Sequence, residues 1–485
     1  MPKALILVAV VQHWILFQCQ FCTARDIKTG KVFPALIEQR SSAGELTLKI
    51  NGDLVLNLQR TSVFSDNLQL SSYDGDAMLI HNMRSDLIEQ NLYHDIQKGA
   101  AVVVTNNDGV RVEGMIGDRL RISPTDAEER NDAGHLAHEV FEVNLQYSQG
   151  NDFALLPSHT SASTNDSQPS VPIPMERARK AVKTKIMPEV HLLLDSALTS
   201  KFRSKNSIVE YYAVFAAFLN LKFKTMERID VQLVITKITA YSGGKDTFVE
   251  KAPSYEQYIL LDSLNSLRAF IKNEDAKFKD DDVVILMTGL DIASYYSWTK
   301  QVHSQSTSGY AFVGGACKES KVAMVEDVAN MFTGTHTLVH EMGHLLGIYH
   351  DGGPGATECK ASDGYIMSPS QGIHSVHLFS DCSENQLLKF LKDPAVTCLT
   401  NKPAGSSKLL SADKIKKAAV SSEKFCKLKH PTTTVQHVES FKSSNRRSYD
   451  ILGCDIICHD LTTGYYHFYD APDNTPCHKG DPSLV

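Results

Sequence analysis

The stretch HTLVHEMGHLLGIYHDG, residues 336–352, constrains this chain more than any other. Side chains four apart share one face of an α-helix. A helix here puts His340 and His344 on one face, with Glu341 beside them. Gly347 then permits a backbone turn that a residue with a Cβ resists. Beyond that turn His350 can approach the same point from another direction. Three imidazoles and one open position are the ligand set of a catalytic zinc, whereas structural zinc sites close all four positions. His336 is too far along the helix to join a site those three already fill.

The chemistry follows from the ligand set. Zinc lowers the pKa of its water to roughly 7 and polarises a carbonyl. Glu341 can take the proton of that water and pass it to a leaving amine. Those steps hydrolyse a peptide bond. Five positions fixed at set spacings are poorly explained by a surface helix with incidental histidines.

The rest of the chain sets the context. Its 485 residues exceed what one core organises, so several domains are expected. Hydrophobic and charged fractions of 42% and 22% are those of a globular protein. A net charge of −7 gives no reason to expect a nucleic-acid partner. Residues 1–24 carry one lysine, an apolar run from Ala4 to Phe17, and Cys22-Thr23-Ala24 before Arg25. That is the pattern of a secretory signal peptide. The run is short of the about 20 residues a membrane span needs, and no later stretch reaches that length. A secreted, extracellular protein is expected. Ten cysteines are present; Cys19 and Cys22 lie in the signal segment and the other eight fall between Cys317 and Cys477. An even number in an oxidising compartment predicts disulfides, all confined to the last third.

Residues 25–157 alternate apolar and polar residues. ELTLKINGDLVLNLQR (45–60) turns at Asn51-Gly52, a strong hairpin signal, and 100–122 reads as further strands. Residues 158–180 are a Ser-, Thr- and Pro-rich linker with little to bury. It holds Asn165 in a glycosylation sequon and ends in the basic cluster Arg177, Arg179, Lys180, a target for a processing protease. Strands and helices then alternate: strands at 189–196, 230–241, 282–289 and 309–315, helices at 207–223 and 255–273. Residues 402–485 are poor in large apolar residues, rich in lysine, and hold Cys426, Cys454, Cys458 and Cys477. So small a module depends on staples.

HEMGHLLGIYHD resembles the metzincin metalloproteases, and Asp351 after the third histidine is typical of their adamalysin, or reprolysin, branch. DGYIMSPSQG (363–372) resembles the methionine turn of that family, which makes Met367 an apolar floor under the imidazoles and not a ligand. The resemblance implies a multidomain chain. It has an α/β catalytic domain (181–401, a mixed twisted sheet plus helices), a mostly β pro-region before it and a small cysteine-rich module after it. It also implies pairing of Cys317 with Cys398 and of Cys359 with Cys382. By the same resemblance Glu189, Asp291, Cys398 and Asn401 match a structural calcium site, and oxygen ligands suit calcium.

The layout is similar to reprolysin-like metalloproteases of tick saliva, with Asp473-Asn474-Thr475-Pro476-Cys477 standing where their tail motif has Gly for Asn. That implies extracellular protein substrates such as fibrinogen, fibronectin and gelatin, and an anti-haemostatic role. Many metzincin pro-regions silence the enzyme with a cysteine on the zinc. No cysteine lies between Cys22 and Cys317, so residues 25 to about 180 would block the cleft by another ligand or by bulk. His374 and His377 follow the methionine turn and read as solvated. Lys414, Lys416, Lys417, Lys424, Lys427 and Lys429 offer a contact for matrix or glycans, or simply a solvated face. The competing reading is a metzincin-shaped binding module acting through its tail; the intact Glu341 and three histidines favour the enzyme.

Overall fold

The computed structural model describes residues 29–40, 45–125, 129–143, 183–253, 255–296, 301–303, 307–369, 378–400, 421–438, 440–442, 448–450 and 455–470. The signal segment, the linker with Asn165 and the basic cluster, Asn401, His374, His377, Cys454 and Cys477 lie outside them.

The N-terminal region is β-rich, as its alternation predicts. Nine antiparallel strands form one sheet, in the order β1 (Gly30–Val32), β11 (His138–Glu142), β10 (Leu120–Pro124), β9 (Arg111–Ile116), β8 (Ala100–Thr105), β7 (Leu92–Asp95), β4 (Val55–Arg60), β3 (Glu45–Lys49) and β2 (Ala35–Arg40). The β3–β4 hairpin forms where Asn51-Gly52 predicts it. Asn51 Oδ1 accepts from the amides of Asp53 and Leu54, both at 2.9 Å. Leu46, Leu48, Leu56 and Leu58 are buried on its inner face.

Two strands leave that sheet. β5 (Phe64–Asp74) and β6 (Ala77–Met83) enter a ten-stranded sheet with the order β21 (Gly309–Ala311), β22 (Val322–Glu326), β18 (Val283–Thr288), β13 (Glu189–Leu194), β15 (Val234–Ala240), β5, β6, β27 (Tyr466–Asp470), β26 (Asp455–Asp460), β23 (Val435–Val438). All three expected segments therefore contribute to one sheet. β22, β18, β13, β15 and β5 run parallel, and β21 is an antiparallel edge. The unbroken burial of β13 and β18 fits parallel strands covered on both faces. Smaller pairings are β12 (Thr184–Ile186) with β14 (Ile229–Val231), β24 (Ser440–Lys442) with β25 (Ser448–Asp450), and a sheet of β16 (Lys251–Ala252), β17 (Tyr255–Leu260), β19 (Asp291–Tyr296) and β20 (Gln301–His303).

One sequence expectation is corrected here. Residues 255–273 are not a single helix: β17 takes 255–260, and helix α2 (Ser263–Asn273) follows. Tyr258, Ile259 and Leu260 pair with β19, and that tertiary pairing overrides the helical spacing.

Helix α1 (Lys205–Phe223) joins the layers. Ser204 caps it: its Oγ accepts from the Ser207 amide at 3.1 Å, and Ser207 Oγ accepts from the Ser204 amide at 3.1 Å. The helix is apolar nearly all round and so must be buried. It packs against β7 and β8 of the N-terminal sheet and against helix α3 (Thr335–Leu345). One core results, in which Phe64, Leu68, Leu70, Leu92 and Met115 meet Phe215, Phe218, Ile238, Leu338 and Met367.

Arg121 shows how closely the parts interlock. It belongs to β10 yet is 1% exposed. Its Nε donates to Met331 O at 2.8 Å and its NH2 to Phe332 O at 3.1 Å, in the turn before α3. Phe332 sits at φ +53, stacks on Tyr211 at 4.2 Å, and its amide donates to the Tyr211 hydroxyl. Charged-group hydrogen bonds contribute roughly 1.5–3 kcal/mol each. Arg121→Ala is therefore expected to lower unfolding stability by about 3 kcal/mol in urea melts. A loss under about 0.5 kcal/mol, the scale of neutral surface changes, would show the interlock to be dispensable.

At the C-terminal end, helix α5 (Ser422–Lys429) packs on β23 and β26. Cys426 is joined to Cys458, with Phe425, Val435 and Ile456 around them.

Candidate metal centre

Helix α3 places the residues that the spacing singled out. His340 and His344 lie on one face, and the helix ends at Leu345. Gly347 adopts φ +82 just beyond it. Its amide donates to His344 O at 2.9 Å, and the Ile348 amide donates to Gly343 O at 2.9 Å. That pair of bonds is a Schellman close, which needs a left-handed residue. A Cβ on Gly347 would lie 2.7 Å from the Phe390 ring, carried by helix α4 (Asp381–Phe390). The turn brings His350 back to the helix.

The three Nε2 atoms of His340, His344 and His350 lie 3.1 Å from one another. Neutral imidazoles so placed repel lone pair against lone pair unless a cation sits among them. His340 Nδ1 donates to Ile366 O at 2.6 Å and His344 Nδ1 to Ile348 O at 2.7 Å. A carbonyl can only accept, so Nδ1 carries the proton and Nε2 is left as the ligand atom. Tetrahedral zinc with nitrogen at 2.0–2.1 Å holds such atoms roughly 3.3 Å apart. The donor set fits zinc. His336 is buried and is not among the converging nitrogens.

Glu341 is 1% exposed, next to His340 on α3. Gly309 of edge strand β21 lies over it: a Cβ there would come within 2.9 Å of Glu341 Oε1. Met367 is fully buried beneath the helix, and a Cβ on Gly343 would sit 2.5 Å from its sulfur. The Asp351 amide donates to Met367 O at 2.9 Å, and Asp351 Oδ1 accepts from Ser380 Oγ at 2.7 Å. Ser380 also caps α4. Asp351 thus ties the third histidine's loop to the methionine turn and to α4. Gly309, Gly343, Phe390 and Ser380 were not singled out in the sequence. Only Gly343 carried a signal: glycine costs about 0.5–1 kcal/mol inside a helix and marks a close approach.

Both expected disulfides of this domain are present, Cys317–Cys398 and Cys359–Cys382. The expected calcium ligands do not all converge. Glu189 and Cys398 are close to Asp282, not to Asp291. The Glu189 amide donates to Asp282 Oδ2 at 3.0 Å, and the Cys317 amide donates to Asp282 O at 2.9 Å. Asp291 lies past the far end of β18, where it opens β19 beside Glu326. The reason is register: Val190 pairs with Val283, so the residue before β18 meets Glu189, and the residue after it cannot. Burial, with Glu189 nearby, pushes the Asp282 carboxyl up to about 6.

Residues 189–403, a little under half of the chain, match the Reprolysin (M12B) family zinc metalloprotease model. This segment is a reprolysin catalytic domain. The relatives agree. Venom metalloproteinase antarease TserMP_A of Tityus serrulatus is 24% identical over 401 residues, 78% of this chain and 95% of its own. Venom metalloproteinase BumaMPs1 of Olivierus martensii is 25% identical over 367 residues, 72% and 87% of the two chains. A disintegrin and metalloproteinase with thrombospondin motifs like protein of Bombyx mori is 28% identical over 249 residues, 47% of this chain and 35% of its own. The reprolysin likeness is therefore borne out, and the chain is a zinc metalloprotease. These matches do not reach the finer likeness to tick salivary enzymes. No helix among the described residues is long and apolar enough to cross a membrane.

Proposed function

We propose that this reprolysin is a secreted endopeptidase that cuts extracellular proteins, with Glu341 as its general base. The observation that carries the reading is the meeting of three imidazole Nε2 atoms beside a buried glutamate, under a sheet edge. Among the described residues β21 is the last strand of the ten-stranded sheet, the edge to which an extended peptide would add as a further strand. Zinc, when held by His340, His344 and His350, supplies Lewis acidity to a water and to the scissile carbonyl. Glu341 removes the proton of the attacking water and returns it to the amine as the bond breaks. Gly309 leaves the carboxylate room between helix and edge strand. Fibrinogen, fibronectin and gelatin are the substrate class, in an anti-haemostatic setting, by likeness to the family.

The test is hydrolysis of gelatin and fibrinogen by purified protein, with and without a zinc chelator. Activity lost to the chelator and restored by zinc supports the reading; chelator-insensitive cleavage overturns it. Segment 158–180 is the processing site in this reading, and 25 to about 180 the pro-region.

A structural calcium belongs to the same reading, with Asp282 in place of Asp291. Glu189 and Asp282 supply carboxylates and Cys398 supplies its carbonyl. Saturating calcium is expected to raise the Tm of chelator-stripped protein by about 5 °C. Asp282→Asn should remove that rise. An unchanged Tm in the parent protein would eliminate the site.

A further inference from the structure

We infer that residues 29–143 stay bound after any cut in the 158–180 linker, and that they form the bracket joining the C-terminal module to the catalytic domain. The inference rests on the reading above that this segment is where the chain is processed.

The β5–β6 hairpin lies inside the ten-stranded sheet, not at its edge. On one side β5 pairs with catalytic strand β15: Gln69 with Lys237, Leu70 with Ile238, Ser71 with Thr239, Ser72 with Ala240. On the other side β6 pairs with β27: Leu79 with Tyr466, Ile80 with His467, His81 with Phe468, Asn82 with Tyr469. The other edge of β27 is taken by β26. The C-terminal strands therefore reach the catalytic sheet through the hairpin. Among the described residues, direct contact between the two includes Lys277 Nζ 5.3 Å over the Tyr465 ring, with a side-chain hydrogen bond between them.

His81 stands at the junction of all three parts. Its ring stacks on Phe468 of β27 at 4.5 Å. Its Nε2 accepts from Lys205 Nζ, at the start of α1, at 2.7 Å. Asn82 Nδ2 donates to Phe468 O at 3.2 Å. Leu79, Ile457 and Phe468 form a small apolar cluster under these contacts.

Release of residues 29–143 would bare two strand edges at once, on β15 and on β27. Unpaired edges are templates for aggregation. It would also strip Phe64, Leu68 and Leu70 from the main core and leave the carbonyls held by Arg121 without their donor. The hairpin is also separate from the substrate edge. The substrate edge is β21, the first strand of the sheet, whereas β5 and β6 are the sixth and seventh. The hairpin therefore stands away from that edge within the sheet, while β10 reaches the turn before α3 through Arg121.

The experiment uses full-length protein nicked by limited trypsin at Arg177, Arg179 or Lys180, with the cut confirmed by mass. Gel filtration without denaturant should show both fragments in one peak at the uncut position, separating only in urea. Two folded species that part in plain buffer would overturn the inference. Amide exchange provides a second reading. Phe468→Ala and His81→Ala should speed exchange in Tyr466–Tyr469 at least tenfold while β15 stays protected. Unchanged exchange in β27 would overturn the bracket. Gelatin cleavage by the nicked protein separates the two claims. Co-eluting but inactive fragments would leave the bracket standing and count against cleavage by the nicked form. An active protein that has shed its N-terminal fragment would count against the bracket alone.

Discussion

Glu341→Gln is expected to lower kcat/KM on a protein substrate by about 10²- to 10⁴-fold while zinc stays bound at one ion per chain. The substitution keeps the side chain's volume and the helix. It removes only the capacity to take a proton. Glu341 is almost fully buried and is not among the three converging donors, so zinc affinity has no reason to change. Gly309 of the edge strand leaves the carboxylate room, since a Cβ there would come within 2.9 Å of Oε1. Steady-state kinetics with zinc analysis on the same sample checks this. A zinc-loaded variant that kept more than a tenth of the activity would assign the base elsewhere.

Gly347→Val should cost several kcal/mol of stability and most of the bound zinc. A left-handed residue with a Cβ costs roughly 1–2 kcal/mol, and a β-branched one is disfavoured further. The new Cβ would also meet the Phe390 ring at 2.7 Å, and overpacking of that kind costs about 1–3 kcal/mol. The chain can escape only by opening the Schellman close, and that turn is what returns His350 to the other two imidazoles. Urea melts and zinc stoichiometry give the two readings. Wild-type values in both would mean that His350 is seated by Asp351 and α4 instead.

The metal centre was legible because its geometry is local. His340, His344, Gly347 and His350 fall within a dozen residues, and helical pitch plus one glycine does the rest. β13, β18 and α1 were legible for the same reason, since runs of burial are written residue by residue. What depended on distant partners was not. Nothing in FSDNLQLSSYD says that its neighbour is β15, because alternation reports faces and not partners. The calcium assignment failed by the same rule: both Asp282 and Asp291 flank one strand, and only register tells which end faces Glu189. Residues 255–260 misled because an amphipathic spacing over a short run suits either a strand or a helix.

The pairing of Phe64 with Ile235 also sets an order of events. Joining two strands so far apart in one chain is slow, because the loop must close before the parallel pairs repay it. While the chain is whole, the hairpin searches for β15 at the effective concentration its own tether provides, in the millimolar range for short flexible linkers and lower for longer ones. A cut that precedes that encounter turns folding into a second-order reaction between dilute fragments. A cut that follows it changes almost nothing. Under the proposed processing, the timing of the cut relative to folding matters more than the position of the scissile bond.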